Sequence, residues 1–236
     1  MKYICNYSSH EEFLNGIPTD KDNIILCRAS NMDDWHMHWN CSLFDKRVEY
    51  LQNTGTQWID TLYKHNGNTR FVCKLNLSGD LSAWRYPFGS YGNSKGTNKL
   101  FCLEINGSQK LSTYYGTANS GNNTAHNFNI APSGTHTFDL NKNVHKIDNT
   151  TYSFSYSNYT SLYNTLLFGV TNYSGGIQIC PSTIKMYYFQ IYDNGILVRD
   201  LIPVRKGSIG YMYDKISGEL YGNDGSGEFI CGPDLE

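Results

Sequence analysis

Charge is scarce in this chain of 236 residues. Asp, Glu, Lys and Arg make up 17% of it, and the formal net charge is −2. Lysines and arginines form no run, so the basic stripe that follows a phosphate backbone is missing and nucleic acid is not an expected partner. No apolar stretch approaches the length of a bilayer-spanning helix, so no membrane insertion of that kind is expected. The opening residues Met1-Lys-Tyr-Ile-Cys-Asn-Tyr7 hold no hydrophobic run and no small-residue cleavage site. They do not read as a secretory signal, and synthesis and folding in a cytoplasm are expected. Cys-x-x-Cys is absent. The seven cysteines (Cys5, Cys27, Cys41, Cys73, Cys102, Cys180 and Cys231) stand apart and are odd in number, which predicts reduced, mostly buried thiols and no disulfide. The Asn-x-Ser/Thr triplets at Asn106, Asn158 and Asn172 are what chance gives in an asparagine-rich chain. No nucleotide or other cofactor motif is present. The glycines around 222–227 lack the strand–loop–helix context and the lysine of a phosphate loop.

What the chain has in plenty is Asn, Ser, Thr, Gly and Tyr, including 22 glycines and 19 tyrosines. That composition suits many short strands joined by polar loops. The length suits one substantial core. Ile184-Lys-Met-Tyr-Tyr-Phe-Gln-Ile-Tyr192 is rich in aromatic and β-branched residues and predicts a strand. Tyr187, Phe189 and Ile191 would lie on one face and Ile184, Met186 and Tyr188 on the other, as in a strand buried on both sides. Asn194-Gly195 predicts a tight hairpin turn. Pro203 lacks an amide hydrogen, so the next strand should end there or lie at an edge. Ser217-Gly218 should reverse the chain again. Arg70 to Leu77 alternates, with Phe71, Cys73, Leu75 and Leu77 inward. Tyr50, Leu51, Trp58, Ile59 and Leu62 should line the first strands. Leu166 to Val170 reads as a core strand, and residues 116–129 as a polar loop.

Two stretches resemble a known family. Phe189-Gln-Ile-Tyr-Asp-Asn-Gly-Ile-Leu-Val-Arg-Asp-Leu-Ile-Pro-Val-Arg205, followed by Gly210-Tyr-Met-Tyr-Asp214 and Gly218-Glu-Leu-Tyr221, resembles the C-terminal signature of a concanavalin A-like (LamG-type) domain. Val48-Glu-Tyr-Leu-Gln-Asn-Thr-Gly-Thr-Gln-Trp-Ile-Asp60 resembles its opening strand. The resemblance implies an all-β, two-sheet antiparallel jelly-roll sandwich over residues 48–236. Residues 1–47 are left as a small N-terminal docking segment. There, residues 6–15 predict a short helix capped by Ser8 or Ser9, and Asn23–Arg28 and Trp35–Trp39 predict strands. Trp35, Met37 and Trp39 belong to an apolar surface too large for so short a piece to bury alone, which points to assembly.

Domains of this family occur in phage and prophage structural proteins of gut bacteria, and they are mostly carbohydrate-binding or structural modules. The resemblance therefore implies a virion structural protein, a head- or tail-fibre or capsid-decorating subunit, made in the host cytoplasm. Its partners would be other virion proteins and a host-surface glycan. A symmetric homo-oligomer follows from that setting, a trimer by analogy with phage fibres. The alternative is a free-standing carbohydrate-binding protein or an accessory module of a glycan-degrading enzyme. Sugar binding needs aromatic faces beside hydrogen-bonding groups. The candidates are Trp84, Arg85, Tyr86, Tyr91 and Asn93 in a Gly-rich stretch, with Tyr114 and Tyr115 beside the 116–129 loop.

Catalysis is not expected. Laminarinase-like members of the superfamily carry closely spaced acids on one strand, whereas Glu49 and Glu104 stand alone here. No histidine sits beside a Ser or Cys motif, and the seven histidines read as loop or strand-edge residues. A metal site is not expected either. His36, His38 and Cys41 lack a further ligand, and Asn223, Asp224 and Glu228 lack the ligand ladder of a calcium loop, so a tight turn is the better reading.

Overall fold

The computed structural model describes residues 2–7, 24–29, 43–78, 84–91, 99–105, 110–115, 126–156, 158–172, 174–181 and 183–235, with backbone alone for 2–7, 24–29, 99–102 and 115. Every regular element among them is a strand. The chain divides into two units, Met1–Asp45 and Lys46–Glu236. In the first, Lys2–Tyr7 and Ile24–Ala29 pair in parallel, Lys2 opposite Ile24 and Tyr7 opposite Ala29. The second strand falls where Asn23–Arg28 predicts one. Asn6 and Tyr7, which precede the expected helix cap at Ser8 or Ser9, are strand. The helix from that cap onward, the strand at Trp35–Trp39 and the assembly candidates Trp35, Met37 and Trp39 lie outside the described residues.

The second unit is an all-β jelly-roll sandwich of two antiparallel sheets. The larger sheet runs Thr150–Ser153, Val144–Ile147, Gly134–Asn141, Thr69–Leu77, Ile184–Asp193, Ile196–Lys206, Ile209–Asp214, Glu219–Tyr221. The smaller runs His126–Asn127, Leu111–Tyr115, Lys99–Ile105, Arg85–Tyr91, Leu166–Leu167, Ile59–Asp60, with Gly169–Thr171 and Ile177–Ile179 attached. Thr69–Leu77 shows the driving force plainly. Its odd-numbered residues are buried and its even-numbered ones half-exposed, because successive side chains leave a strand on opposite faces. Phe71 from that strand, Phe189 from its neighbour and Phe88 from the facing sheet meet at the centre. Their ring centroids lie 4.8 to 5.9 Å apart.

Ile184–Asp193 departs from simple alternation. Ile184, Met186, Phe189 and Ile191 are all buried, while Tyr187, Tyr188 and Gln190 are half-exposed. The register against Thr69–Leu77 slips between Met186 and Tyr188. A bulge there changes the parity, so one face takes the whole apolar set and the other takes the tyrosines. The strand is thus buried on one side, not two.

Pro203 corrects a second expectation. Its strand, Ile196–Lys206, runs straight through it in the interior of the larger sheet. The ladder with Ile184–Asp193 stops at Leu201, and the ladder with Lys46–Val48 starts at Val204. Proline occupies the gap, where no partner asks for its missing donor. Leu62 is the third correction: it is 63% exposed, whereas Leu51 and Ile59 are fully buried. Leu62 has a positive φ of 53°, and its amide donates to Asp60 Oδ1 at 2.7 Å, a local turn that swings the side chain outward. Leu166 to Val170 is buried as predicted but breaks into two short strands at Phe168, where φ is +60°. Asn194 and Gly195 take the left-handed pair of φ values, 49° and 84°, that a two-residue hairpin requires.

Candidate functional site

On the smaller sheet, Ile59 and Leu167 point into the core, which leaves Trp58, Asp60 and Leu166 toward the outer face. Ile59–Asp60 would be an open edge were it not for residues 223–226. Asp224 N donates to Trp58 O at 2.9 Å and Ser226 N to Thr56 O at 3.1 Å, so the turn completes a ladder. Asn223 Oδ1 accepts from Trp58 N, and Asp224 Oδ2 accepts from Asp60 N. These oxygens, considered above for calcium, serve backbone amides. Gly225 is required here: a Cβ would lie 2.2 Å from Thr56 O.

A groove opens beside this edge. Trp58, Asp60, Lys64, Leu162, Tyr163, Asn164 and Ile177 are among its lining residues, and its volume is about 290 Å³. The 161–165 loop is pinned at both ends, Ser161 N to His65 O and Thr165 N to Tyr63 O. Asn164 Nδ2 donates to Asp60 Oδ2 at 2.9 Å, which fixes the carboxylate in the groove. The Tyr163 ring lies against Gly175, whose φ is +86°; a Cβ there would sit 3.3 Å from the Tyr163 hydroxyl. Leu162 and Ile177 are 47% and 40% exposed, apolar surface open to a visitor. The groove thus combines aromatic and aliphatic walls with a carboxylate, an amide, an ammonium group and a phenol. Those are the elements of a site for a polyhydroxylated ring, and the volume stands at the small end of ligand sites.

The residues singled out from sequence occupy other positions. Tyr86, Tyr91 and Tyr114 come together with Val170 in a second apolar cluster, 6%, 2% and 7% exposed. The Tyr86 and Tyr91 rings meet at right angles, 5.3 Å apart. Rings packed this way, edge to face in a buried cluster, are spent on one another and not on a ligand. Arg85 is buried at 8% and donates to Trp84 O, while Trp84 itself is 47% exposed. Asn93 lies outside the described residues, as does the Tyr115 side chain. Trp58 and Tyr163 were not singled out. Trp58 reads as core from hydropathy, and the visible cue against that is its parity with the fully buried Ile59.

Three small networks hold buried histidine or glutamate side chains. His65 is fully buried, with Nε2 2.6 Å from Ser90 Oγ and Nδ1 3.0 Å from Tyr159 OH, and Ser90 Oγ is 2.9 Å from Ser161 Oγ. His145 Nε2 donates to Lys142 O, so its Nδ1 accepts from Thr113 Oγ1 at 3.0 Å. Glu104 accepts from Ser112 Oγ at 3.0 Å. His65, in the loop before Asn66, His126, on the edge strand of the smaller sheet, and His145, in Val144–Ile147, are all buried, and His65 meets a serine although no sequence motif marks the contact. Desolvation pushes His65 down to about 3 and His145 to about 4. An imidazole that weakly basic, sealed among core rings, is poorly placed to activate Ser90 for an incoming substrate. Among the described residues, no group of three or more His, Cys, Asp or Glu is arranged to hold a metal ion. His36, His38 and Cys41 lie outside them. No helix of the described residues is long and apolar enough to cross a membrane.

No protein-family model matches the chain, and no curated protein matches it. Among solved structures, the crystal structure of Scytalido-glutamic peptidase with a peptide-based transition-state analogue is similar. It shares 11% identity over 81% of this chain and all of that one, with a TM-score of 0.31. A likeness of that size carries no argument about fold or activity.

Proposed function

We propose that the jelly roll is a non-catalytic carbohydrate-binding domain, and that the chain is a virion structural protein presenting it to host-surface glycans. The observation that carries the binding half is the groove at Trp58 and Tyr163. Among the described contacts, neither the Trp58 indole N–H nor the Tyr163 hydroxyl has a hydrogen bond to protein, so both remain for sugar hydroxyls. The Asp60–Asn164 pair is already oriented, which lowers the ordering cost of binding. The virion half rests on the resemblance of residues 189–221 and 48–60 to domains of phage structural proteins. In this reading residues 1–47 attach to the particle, and a symmetric homo-oligomer, a trimer first, displays the jelly rolls.

A glycan array on the purified chain, read beside its solution mass, tests both halves. Expected are retention of a defined set of neutral glycans and a mass above that of a monomer. Trp58→Ala should raise Kd at least about tenfold, about 1.4 kcal/mol, with the unfolding midpoint little changed. No retained glycan, or equal binding by Trp58→Ala, would remove the groove from the account. A strict monomer at high concentration would remove the fibre.

A further inference from the structure

The larger sheet carries a second concave region, built from different strands and of different charge. Three turns meet at one of its ends: residues 66–69, Lys142–Asn143 and Asn194–Gly195. Asn194 N donates to Asn68 O at 3.2 Å, and Asn141 lies opposite Arg70 in the ladder. Arg70 is central. Its Nε and Nη2 donate to the two oxygens of Asp139 at 2.6 and 2.7 Å, and its guanidinium carbon lies 5.0 Å from the centroid of the Tyr192 ring. A fork held by a bidentate carboxylate and a ring face has little freedom to lose on binding. Both Nη1 hydrogens and the second Nη2 hydrogen are left for a ligand.

Two hollows flank this guanidinium, of about 220 and about 210 Å³. Lys146 and Thr151 line one, Asn68, Lys142 and Asn194 the other, and Arg70 and Asn141 line both. The side-chain amides of Asn68, Asn141 and Asn194 make no hydrogen bond among the described contacts. The cations Arg70, Lys142 and Lys146 face one carboxylate in the hollows, Asp139. Asp193, at the nearby hairpin, is bonded to Asn66 Nδ2. The local balance is positive on a chain whose net charge is −2.

We propose that this end of the larger sheet binds an acidic saccharide, a uronate or sulfated sugar. Its anionic group bridges Arg70 and the lysines, and its hydroxyls meet the asparagine amides. Charge complementarity selects the anion. The amides select a hydroxyl-rich ligand over a nucleic acid, because the residues lining the two hollows include no aromatic ring on which a base could stack. The proposal does not rest on the groove at Trp58.

Affinity electrophoresis of the full chain through gels containing polygalacturonate, dextran or a single-stranded oligonucleotide tests it. Expected at low salt is retardation by polygalacturonate beyond that by dextran or the oligonucleotide, weakening as salt rises. The surface variant Lys142→Gln/Lys146→Gln should lose about tenfold in affinity for polygalacturonate. Its neutral-glycan binding on the array should stay unchanged, so a failure here is distinct from a failure of the groove. Absence of retardation by polygalacturonate overturns the proposal, as does equal retardation of the double variant. Equal retention by the oligonucleotide overturns it too, by showing a general polyanion surface.

Discussion

Acid should weaken this protein well above the pH at which its carboxylates protonate. His65 and His145 are buried as neutral rings, and burial is the largest cause that holds them down, to about 3 and about 4. In the unfolded chain each returns to about 6.5. Above pH 6.5 both states are neutral at these positions and nothing is gained or lost. As pH falls below 6.5 the unfolded chain takes up protons that the folded one refuses, so stability drops until the folded rings protonate near 3 to 4. At pH 5 the cost is about 2 kcal/mol for each histidine, hence about 4 kcal/mol together, and it hardly depends on how far below 5 the folded values lie. His126, also lowered chiefly by burial, adds in the same direction. Against a typical total of about 5–15 kcal/mol the change is large. Urea unfolding at pH 8 and pH 5, followed by tryptophan fluorescence, measures it. His65→Gln/His145→Gln should be less stable at pH 8, because the glutamines replace the His–Ser and His–Thr contacts imperfectly, yet it should lose most of the pH dependence. Equal stability at both pH values, or an undiminished dependence in the double variant, would refute the reasoning.

Two further outcomes are expected. Asn53 is fully buried; its Nδ2 donates to Cys180 O and its Oδ1 accepts from Ile184 N, both at 2.8 Å. Asn53→Ala strands both backbone groups and should cost about 2–4 kcal/mol in urea unfolding, while a change under about 1 kcal/mol would show that water replaces the side chain freely. Cys73 and Cys180 are buried and burial holds the Cys73 thiol well above its ordinary value, whereas Cys231 is half-buried. Native alkylation mapped by mass spectrometry should therefore label Cys231 ahead of Cys73 and Cys180, and titration in denaturant should find all seven thiols of the sequence free. Labelling of Cys73 at the rate of Cys231 would mean that the core opens locally.

Alternation and turn chemistry made the sandwich readable. Thr69–Leu77 could be assigned to its faces residue by residue, and Asn194-Gly195 named its own turn. What escaped was everything that depends on a break in periodicity. The slip at Tyr187–Tyr188 leaves no mark in hydropathy, since tyrosine serves either face. Pro203 read as a strand end because the gap between two partner strands is a property of the assembled sheet. The site was harder still. Tyr86, Tyr91 and Tyr114 are aromatic residues beside polar loops, as a sugar site would need, but their rings found one another. The groove at Trp58 and Tyr163 is assembled from segments that meet only through the pairing of Ile59–Asp60 with Leu166–Leu167. Arg70 and Asp139 are likewise brought together by a long-range ladder.

One pairing has a temporal side. Lys46–Val48 lies between Ile196–Lys206 and Asp234–Leu235, and Leu51–Gln52 between Ile184–Asp193 and Ile230–Cys231. The earliest strands of the jelly roll thus gain their first neighbours only from residues 184–206 and their second from residues 230–235. At about 5–20 residues per second, a ribosome needs on the order of ten seconds or more to deliver them. Until residues 184–206 are made, Val48 and Leu51, both destined for the core, wait without a sheet to join. Closure is therefore a late event, made only after residues 230–235 have left the exit tunnel, and a chain stalled before residue 184 would hold its first strands open to a neighbour on the same message.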